Sequence, residues 1–237
     1  MITAERMALL AAFQTRLGYT FQDIALLNEA LTHRSYAHEA GGSHGDYERL
    51  EFLGDAVLEL IVSAYVYTTY ATAREGQLSQ LRARLVNQGT LAMLARQLDL
   101  GWFLLLGHGE ARHGGRDKDS LLAAAFEAVV AAMYLDGGLL QTQEVLWRCF
   151  RSVIEQYTSS MPGWDYKGLL QTHTLSVFGC LPTYHVLREE GPAHQKTFHV
   201  QLTLNHEYWC VGLGRSKKAA EQHAAKQLLE LLQQTRA

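Results

Sequence analysis

The sequence is poor in cysteine and in proline, with three of each among 237 residues. The cysteines are scattered, form no CxxC pair and are odd in number, which excludes a disulfide framework and a zinc site built on cysteine pairs. No window approaches the roughly 18 uninterrupted apolar residues of a membrane span, because Glu127 interrupts the most apolar segment, 121–135. Glu5 and Arg6 precede any long apolar stretch, so a secretory signal is not expected. These absences together predict a cytoplasmic protein with no membrane partner.

Composition and charge predict two folded units with different tasks. Hydrophobic residues make up 48% of the chain and charged residues 19%, which supports a packed core and excludes intrinsic disorder. The net charge of −3 is unevenly distributed along the chain. After Gly163 there are eight basic and six acidic residues, whereas the preceding part has 13 basic and 18 acidic residues. An acidic front and a mildly basic rear are typical of two domains in a chain of this length.

The hydrophobic period changes once along the chain. Residues 1–157 repeat apolar positions at helical spacing and predict an all-α N-terminal domain, with one helix over 78–98 and a glycine-rich loop over 107–119. The segment TSSMPG at 158–163 has the composition of a linker. Residues 164–237 then predict a small α+β domain in the order α-β-β-β-α. We therefore expect a multidomain protein.

Three carboxylates share one face of a predicted helix. Glu48, Glu51 and Asp55 lie at offsets of 0, 3 and 7 residues, which a helix of about 100° per residue brings to the same side. Such carboxylates repel one another unless a cation neutralises them, and Mg²⁺ or Mn²⁺ suits hard oxygen ligands. Spacing alone leaves a second interpretation open, a solvated acidic face with Arg49 as local compensation.

A fourth carboxylate interrupts the most apolar predicted helix. Glu127 stands in the segment LLAAAFEAVV, where an unpaired buried glutamate would be costly. Either it faces solvent or an arginine, or it joins Glu51 and Asp55 around a metal ion. The residues by themselves do not decide between these two arrangements.

Several segments resemble bacterial ribonuclease III, and they follow one another in that family's order. The N-terminal matches are LTHRSY at 31–36, ERLEFLGDAVLEL at 48–60, EGQLSQLRARLV at 75–86 and FEAVVAAMYLDGG at 126–138. The C-terminal region is similar to a double-stranded-RNA-binding domain in DYKGLLQ at 165–171, PTY at 182–184, GPAHQKTF at 191–198 and GRSKKAAEQHAAKQLLELL at 214–232. The 13-residue match at 48–60 is very specific, and the resemblance covers nearly the whole chain.

The resemblance implies an endoribonuclease for double-stranded RNA that works as a homodimer. Members of the family process ribosomal, messenger and other structured RNA. They leave 5′-phosphate and 3′-hydroxyl ends with short 3′ overhangs. The implied cofactor is Mg²⁺, with Mn²⁺ as a substitute, and the nucleophile is an activated water, so that no protein nucleophile is required.

The resemblance also assigns roles to acidic residues and to one aromatic residue of the helical domain. Asp55 and Glu127 fall on catalytic positions, and Glu51 joins them as a metal ligand. Glu48 and Glu75 fall on supporting acidic positions. Phe52 falls where the family places an aromatic residue across the dimer interface; simple core packing is the alternative for it.

The RNA contacts implied for the C-terminal domain lie in three segments. They are Gln171 on the first helix, His194 in the loop between the first two strands, and Lys217 and Lys218 at the start of the last helix. Free N–H groups and the helix dipole favour phosphate at that helix start. Duplex RNA is read largely through its phosphates and 2′-hydroxyls, which suits such side chains.

The sequence departs from the family pattern at one position that matters for chemistry. In the family's second acidic motif an aspartate precedes the glutamate, here Glu127, by three residues, and Ala124 stands at that position instead. Alanine cannot bind metal, so we expect slower catalysis without a change of fold. This leaves a duplex-RNA-binding protein that cuts poorly as the main alternative, and an unrelated helical metal hydrolase with a small α+β domain as another.

Overall fold

A computed structural model describes residues 2–41, 45–71, 73–160, 165–192, 196–205 and 207–234. Contacts divide the chain into two units, Met1–Tyr67 with Leu78–Tyr157 and Thr68–Gln77 with Thr158–Ala237. Each unit is described by itself. The predicted linker 158–163 falls partly outside the described residues, and its first three residues continue a helix. The domain boundaries drawn from the sequence stay a prediction.

The N-terminal part is helical as predicted, and its described residues add one isolated β-bridge between Thr32 and Leu105. Its nine α-helices within the described residues are α1 (Ala4–Leu17), α2 (Ile24–Ala30), α3 (Arg34–Glu39), α4 (Glu48–Thr69), α5 (Glu75–Leu85), α6 (Gln88–Gln97), α7 (Leu100–Phe103), α8 (His108–Arg112) and α9 (Asp119–Ser160).

Helix α9 supplies the central core of the first unit. Its apolar side chains from Leu121 to Met133 are almost all buried, and the rings of Phe126 and Phe150 meet edge to face with centroids 6.4 Å apart. Gly138 interrupts the helix with φ 78° and ψ 179°. Among the described residues, α9 is long and apolar enough to cross a membrane by length and composition, but most of that stretch is buried inside the protein. It is a core helix broken by a glycine.

The single helix predicted over 78–98 is wrong, because two helices occupy that segment. Helix α5 ends at Leu85, and α6 begins after Asn87, whose side chain accepts a hydrogen bond from the Thr90 backbone N–H at 2.9 Å. An asparagine cap satisfies the free donors of a new first turn, and this local competition ends the longer helix.

The glycine-rich loop predicted over 107–119 is also wrong. The segment forms α8 and a 3₁₀ turn at Gly115–Asp117. The Arg116 guanidinium in that turn donates to the backbone carbonyls of Gly101 and Leu104 at 2.8 and 3.0 Å. These bonds satisfy carbonyls near the end of α7 and fix a segment whose composition is otherwise typical of a loop.

The C-terminal part has the predicted α-β-β-β-α order. Helix α10 (Tyr166–Phe178) precedes an antiparallel sheet of β1 (Thr183–Glu190), β2 (Thr197–Leu204) and β3 (Tyr208–Gly214), and α11 (Lys217–Gln234) follows. Tyr184, Leu202 and Cys210 face one another across the three strands. Both helices pack on that face, over a buried core of Leu170, Leu202, Leu204, Ala224, Ala225, Leu228 and Leu232.

Small residues let α11 lie close to β3. A Cβ on Gly212 would lie 2.1 Å from the Ala220 carbonyl oxygen, and one on Gly214 would lie 2.4 Å from the Ala220 backbone nitrogen. Neither approach is possible for a residue with a side chain, so the glycines of β3 determine how deeply the helix sits.

Strand β1 contains a register shift between Val186 and Arg188. Leu187 is the extra residue, and beyond it Arg188 pairs with His199 and Glu189 pairs with Phe198. A single extra residue turns every following side chain to the opposite face of the sheet. Glu189 therefore lies on the face that carries α11.

Candidate active site

Helix α4 begins at a side-chain cap. The Asp46 carboxylate accepts a hydrogen bond from the Glu48 backbone N–H at 3.0 Å. Aspartate is among the best residues for this position because its oxygen satisfies a free donor of the first turn. The cap starts α4 immediately before its first acidic residue.

The two faces of α4 differ in character. Leu50, Val57 and Leu58 are buried in the core, whereas Asp55 is exposed and Glu51 is half-buried. All three carboxylates lie on this one helix, as predicted, and Glu51 is the least exposed of them, since Glu48 is exposed like Asp55.

Gly54 allows α4 and α9 to cross in direct backbone contact. Gly54 is buried, and a Cβ built on it would lie 1.8 Å from the carbonyl oxygen of Glu127. No side chain fits this distance, so only glycine permits the crossing. Asp55 follows Gly54 directly and Glu51 precedes it by one helical turn, which brings both carboxylates next to Glu127.

Two side chains within the buried stretch of helix α9 are partly accessible to solvent. From Leu121 to Met133 every side chain is buried except Ala124 and Glu127, which are half-buried. Residues three apart share one helix face. The position at which the family usually has an aspartate therefore lies on the same accessible strip as Glu127.

Two of these carboxylates, Glu127 and Glu51, have a raised pKa. Burial, followed by the negative charges of Asp55 and Glu51, raises the pKa of Glu127 to about 7. Burial and the charges of Glu48 and Asp55 likewise raise the pKa of Glu51. Within the described part of the chain, no hydrogen bond or ion pair offsets the charge of Glu127.

This donor set fits a divalent cation, although it is not a closed cluster. Carboxylate oxygens are the ligands that hard divalent ions prefer, and a cation would relieve the mutual repulsion. No group of three His, Cys, Asp or Glu side chains in the described residues is arranged closely enough to hold a metal by itself. Ala124, on the accessible strip of α9, offers no oxygen donor from its side chain.

The two supporting acids differ in their surroundings. The Glu48 carboxylate lies 3.2 Å from the Arg34 guanidinium, so it has a cation of its own. Glu75 begins α5, is exposed and falls in the segment that groups with the second unit. The structure thus brings Glu51, Asp55 and Glu127 together and adds Glu48 at the edge. The roles given to these residues stay predictions.

Phe52 lies on the surface and not in the core. Its side chain is 83% exposed, more than any other large hydrophobic side chain among the described residues. Beside it lies a cavity of about 760 Å³ lined in part by Leu26, Leu50, Leu53 and Leu135. The core-packing alternative for Phe52 is therefore wrong.

In the second unit, the predicted RNA contacts lie on α10 and α11. Gln171 is half-buried on α10. The Ser216 hydroxyl accepts a hydrogen bond from the Ala219 backbone N–H at 3.1 Å and caps α11, so that Lys217 and Lys218 are exposed in its first turn. His194 lies outside the described residues.

Sequence reasoning missed two residues that shape these sites. One is Gly54, and a glycine within an apolar helical pattern is a usable signal of close packing, since it costs stability relative to alanine. The other is Glu189, whose two carboxylate oxygens lie 2.9 Å from the Lys196 ammonium and 3.5 Å from the Lys217 ammonium. No local pattern indicated that contact.

Comparison with known proteins matches both units. A family model described as Ribonuclease-III-like matches residues 23–152, and the Double-stranded RNA binding motif matches residues 166–232. Ribonuclease 3 of a Nitratiruptor species is 43% identical over 223 residues, which cover 94% of this chain and 96% of that protein. Ribonuclease 3 of Oleidesulfovibrio alaskensis is 46% identical over 220 residues, which cover 93% and 96%.

A solved structure is also similar. The crystal structure of the nuclease domain of ribonuclease III from Campylobacter jejuni has 38% sequence identity and a TM-score of 0.56, covering 68% of this chain and all of that domain. A second structure of that domain, which has structural flexibility in a region involved in dimer formation, has 40% identity and the same TM-score, covering 60% of this chain and 95% of its own. The chain belongs to the ribonuclease III family and is an endoribonuclease with a double-stranded-RNA-binding domain.

Proposed function

We propose that this protein is a homodimeric, Mg²⁺-dependent endoribonuclease of the cytoplasm that cuts both strands of duplex RNA during processing of ribosomal and messenger precursors. It leaves 5′-phosphate and 3′-hydroxyl ends with short 3′ overhangs. The observation that carries the proposal is the meeting of Glu51 and Asp55 with the half-buried Glu127, whose pKa is raised to about 7.

The carboxylates of α4 and α9 would hold the cation between the two helices. When bound, a divalent cation supplies positive charge for the cleaved phosphate and activates a water for attack. Asp55 and Glu127 take the catalytic roles that the resemblance implies for them, and Glu51 is the third ligand beside the crossing at Gly54. Mn²⁺ meets the same requirements as Mg²⁺.

The dimer is proposed to form around Phe52. The exposed ring lies beside a cavity lined by leucines together with Glu29, Glu48 and Arg49. Such a ring is suited to burial against a second copy, since aromatic side chains dominate the energetics of interfaces. The region involved in dimer formation in the Campylobacter jejuni nuclease domain supports a homodimer.

The second unit is proposed to hold the duplex. Lys217 and Lys218 contact phosphates at the positive end of α11, while Gln171 and His194 contact the flanking minor grooves. The comparisons do not favour a protein that binds duplex RNA without cutting it. However, the accessible strip of α9 has an alanine, Ala124, where the family pattern has a carboxylate. We therefore expect duplex binding with a slow chemical step.

The test is the Glu127→Gln variant. Glutamine keeps the size of the side chain and removes its negative charge, so single-turnover cleavage of a long duplex in Mg²⁺ should fall at least about a thousandfold, roughly 4 kcal/mol of transition-state stabilisation. Binding of the same duplex in Ca²⁺, measured by gel shift, should change less than about twofold, because Glu127 has no role in RNA contact.

Glu144→Gln is the matched control. Glu144 is an exposed glutamate on the same helix beyond the break at Gly138, so its replacement should leave both measurements unchanged. Cleavage by Glu127→Gln at the wild-type rate would contradict the proposed metal site.

A further inference from the structure

The carboxylate of Glu189 lies at the start of α11, between two lysines. One of its oxygens is 2.9 Å from the Lys196 ammonium and the other is 3.5 Å from the Lys217 ammonium. Lys217 also lies over the Phe198 ring, with the ammonium 5.9 Å from the ring centroid. Lys217 therefore has two partners within its own domain.

The bulge in β1 creates this contact. Before Leu187 the even-numbered residues of β1 face the helices, as Tyr184 does opposite Leu202. After it, Glu189 pairs with Phe198 on that face, while Arg188 and Glu190 turn to the outer face. Without the extra residue, Glu189 would point away from α11. The irregular strand brings an acid to the place where a phosphate is expected to bind.

The acid stays ionised under the conditions of RNA binding. The hydrogen bond from Lys196, together with the positive charges of Lys196 and Lys217, lowers the pKa of Glu189. Its charge is therefore available to pair with Lys217 at neutral pH. Lys218 differs, since it is exposed and no ion pair involves it in the described part of the chain.

We infer that Glu189 is an internal competitor of RNA phosphate, which holds Lys217 in the free protein and must release it before the duplex binds fully. The inference rests on the proposed contact of Lys217 with phosphate. Its consequence is selectivity, because a dense array of duplex phosphates can displace one carboxylate more readily than an isolated anion can. It also makes affinity for RNA lower, and less steeply dependent on salt, than the lysines alone would produce.

The test compares Glu189→Gln with the wild type in duplex binding, by gel shift in Ca²⁺ over a series of salt concentrations. Removing the competitor should strengthen binding about two- to fivefold at low salt, the range of an exposed ion pair. The gain should shrink as salt rises, because salt already weakens the Glu189–Lys217 pair. Log affinity should therefore fall more steeply with log salt in the variant.

Glu207→Gln is the matched control for charge. Glu207 is exposed in the turn between β2 and β3, at the opposite end of the sheet from Glu189. Eight residues of strand separate the two ends by roughly 25 Å, several Debye lengths at physiological salt. Glu207→Gln changes the net charge by the same amount as Glu189→Gln, and RNA binding should stay at the wild-type level.

Lys217→Ala separates the failure of this inference from the failure of the proposed function. In the wild-type background Lys217→Ala should weaken RNA binding. In the Glu189→Gln background it should weaken binding by a larger factor and abolish the increase in affinity that Glu189→Gln produces alone. If Lys217→Ala weakens binding but Glu189→Gln leaves it unchanged or weaker, the competitor role is wrong and the RNA contact stands. If Lys217→Ala changes nothing in either background, the proposed contact is wrong and the inference is lost with it.

Discussion

Ala124 and Glu127 are the two residues through which the buried part of α9 reaches solvent. Glu127 carries a carboxylate whose pKa is raised to about 7, and Ala124 carries only a methyl group. Residues three apart on a helix have Cβ atoms roughly 5–6 Å apart, so an aspartate at 124 could reach a cation held by Glu127. The structure thus places residue 124 on the same accessible strip as Glu127.

At this residue we expect Ala124→Asp to accelerate cleavage at least about a hundredfold, equivalent to about 2.7 kcal/mol. The added oxygen would improve the positioning of the cation and hence of the attacking water. The free energy of unfolding without metal should stay level or fall, since a further acid adds repulsion beside Glu127. The measurement is single-turnover cleavage at saturating protein with Mg²⁺ varied.

The control for this prediction is the double variant Ala124→Asp with Glu127→Gln, which should show no acceleration because the added carboxylate has no partner. Equal rates for wild type and Ala124→Asp at low Mg²⁺ would show that a carboxylate at 124 is not needed in this protein.

At the scale of elements, the crossing of α4 and α9 determines the site. Helix α4 carries two of the proposed ligands and α9 carries the third, so the separation of the helices determines the separation of the carboxylates. Gly54 sets that separation because its Cα lies against the Glu127 carbonyl. A change in helix packing at Gly54 therefore also changes the positions of the carboxylates.

We expect Gly54→Ala to impair cleavage more than folding. A Cβ at 1.8 Å from the Glu127 carbonyl oxygen forces the helices apart, and overpacking of this kind costs about 1–3 kcal/mol of the free energy of unfolding. The same displacement moves Glu51 and Asp55 away from Glu127. Cleavage should be compared with wild type at a temperature at which circular dichroism shows both proteins fully folded.

Gly76→Ala is the matched control for this prediction. Gly76 lies in α5, and a Cβ there meets no atom within 4 Å. It should leave cleavage unchanged and keep or slightly raise the melting temperature, because alanine favours helix over glycine. A folded Gly54→Ala protein with wild-type cleavage would contradict the role of the crossing.

At the scale of the whole molecule, the proposed dimer depends on the exposed face of α4. We expect Phe52→Ala to raise the dimer dissociation constant at least tenfold, since truncating a central aromatic residue of an interface commonly costs about 2 kcal/mol or more. Sedimentation velocity over a range of protein concentrations measures the change.

Trp102→Ala is the control, because Trp102 is another exposed aromatic residue, 76% accessible on α7. It should leave the dissociation constant unchanged. A dimer equally stable in Phe52→Ala and wild type would show that Phe52 is outside the interface.

Much of the fold could be predicted from the sequence, because its signals are local. The period of apolar residues predicts the helices of the first unit, and strict alternation predicts β2. Ser216 indicates the start of α11, where its hydroxyl indeed caps the helix. The failures were of two kinds. Asn87 carried a local capping signal that the long apolar period concealed, whereas Arg116 organises 107–119 through carbonyls that only the folded chain brings near.

The same distinction applies to the sites. The sequence by itself determined which helix faces carry Glu51, Asp55 and Glu127, since spacing along one helix depends only on its geometry. Only the tertiary structure decided that the two helices meet, through Gly54, and that a bulge turns Glu189 towards Lys217. The physical reason is that periodicity describes an element alone, whereas backbone contacts and charge interactions act between residues distant in the chain.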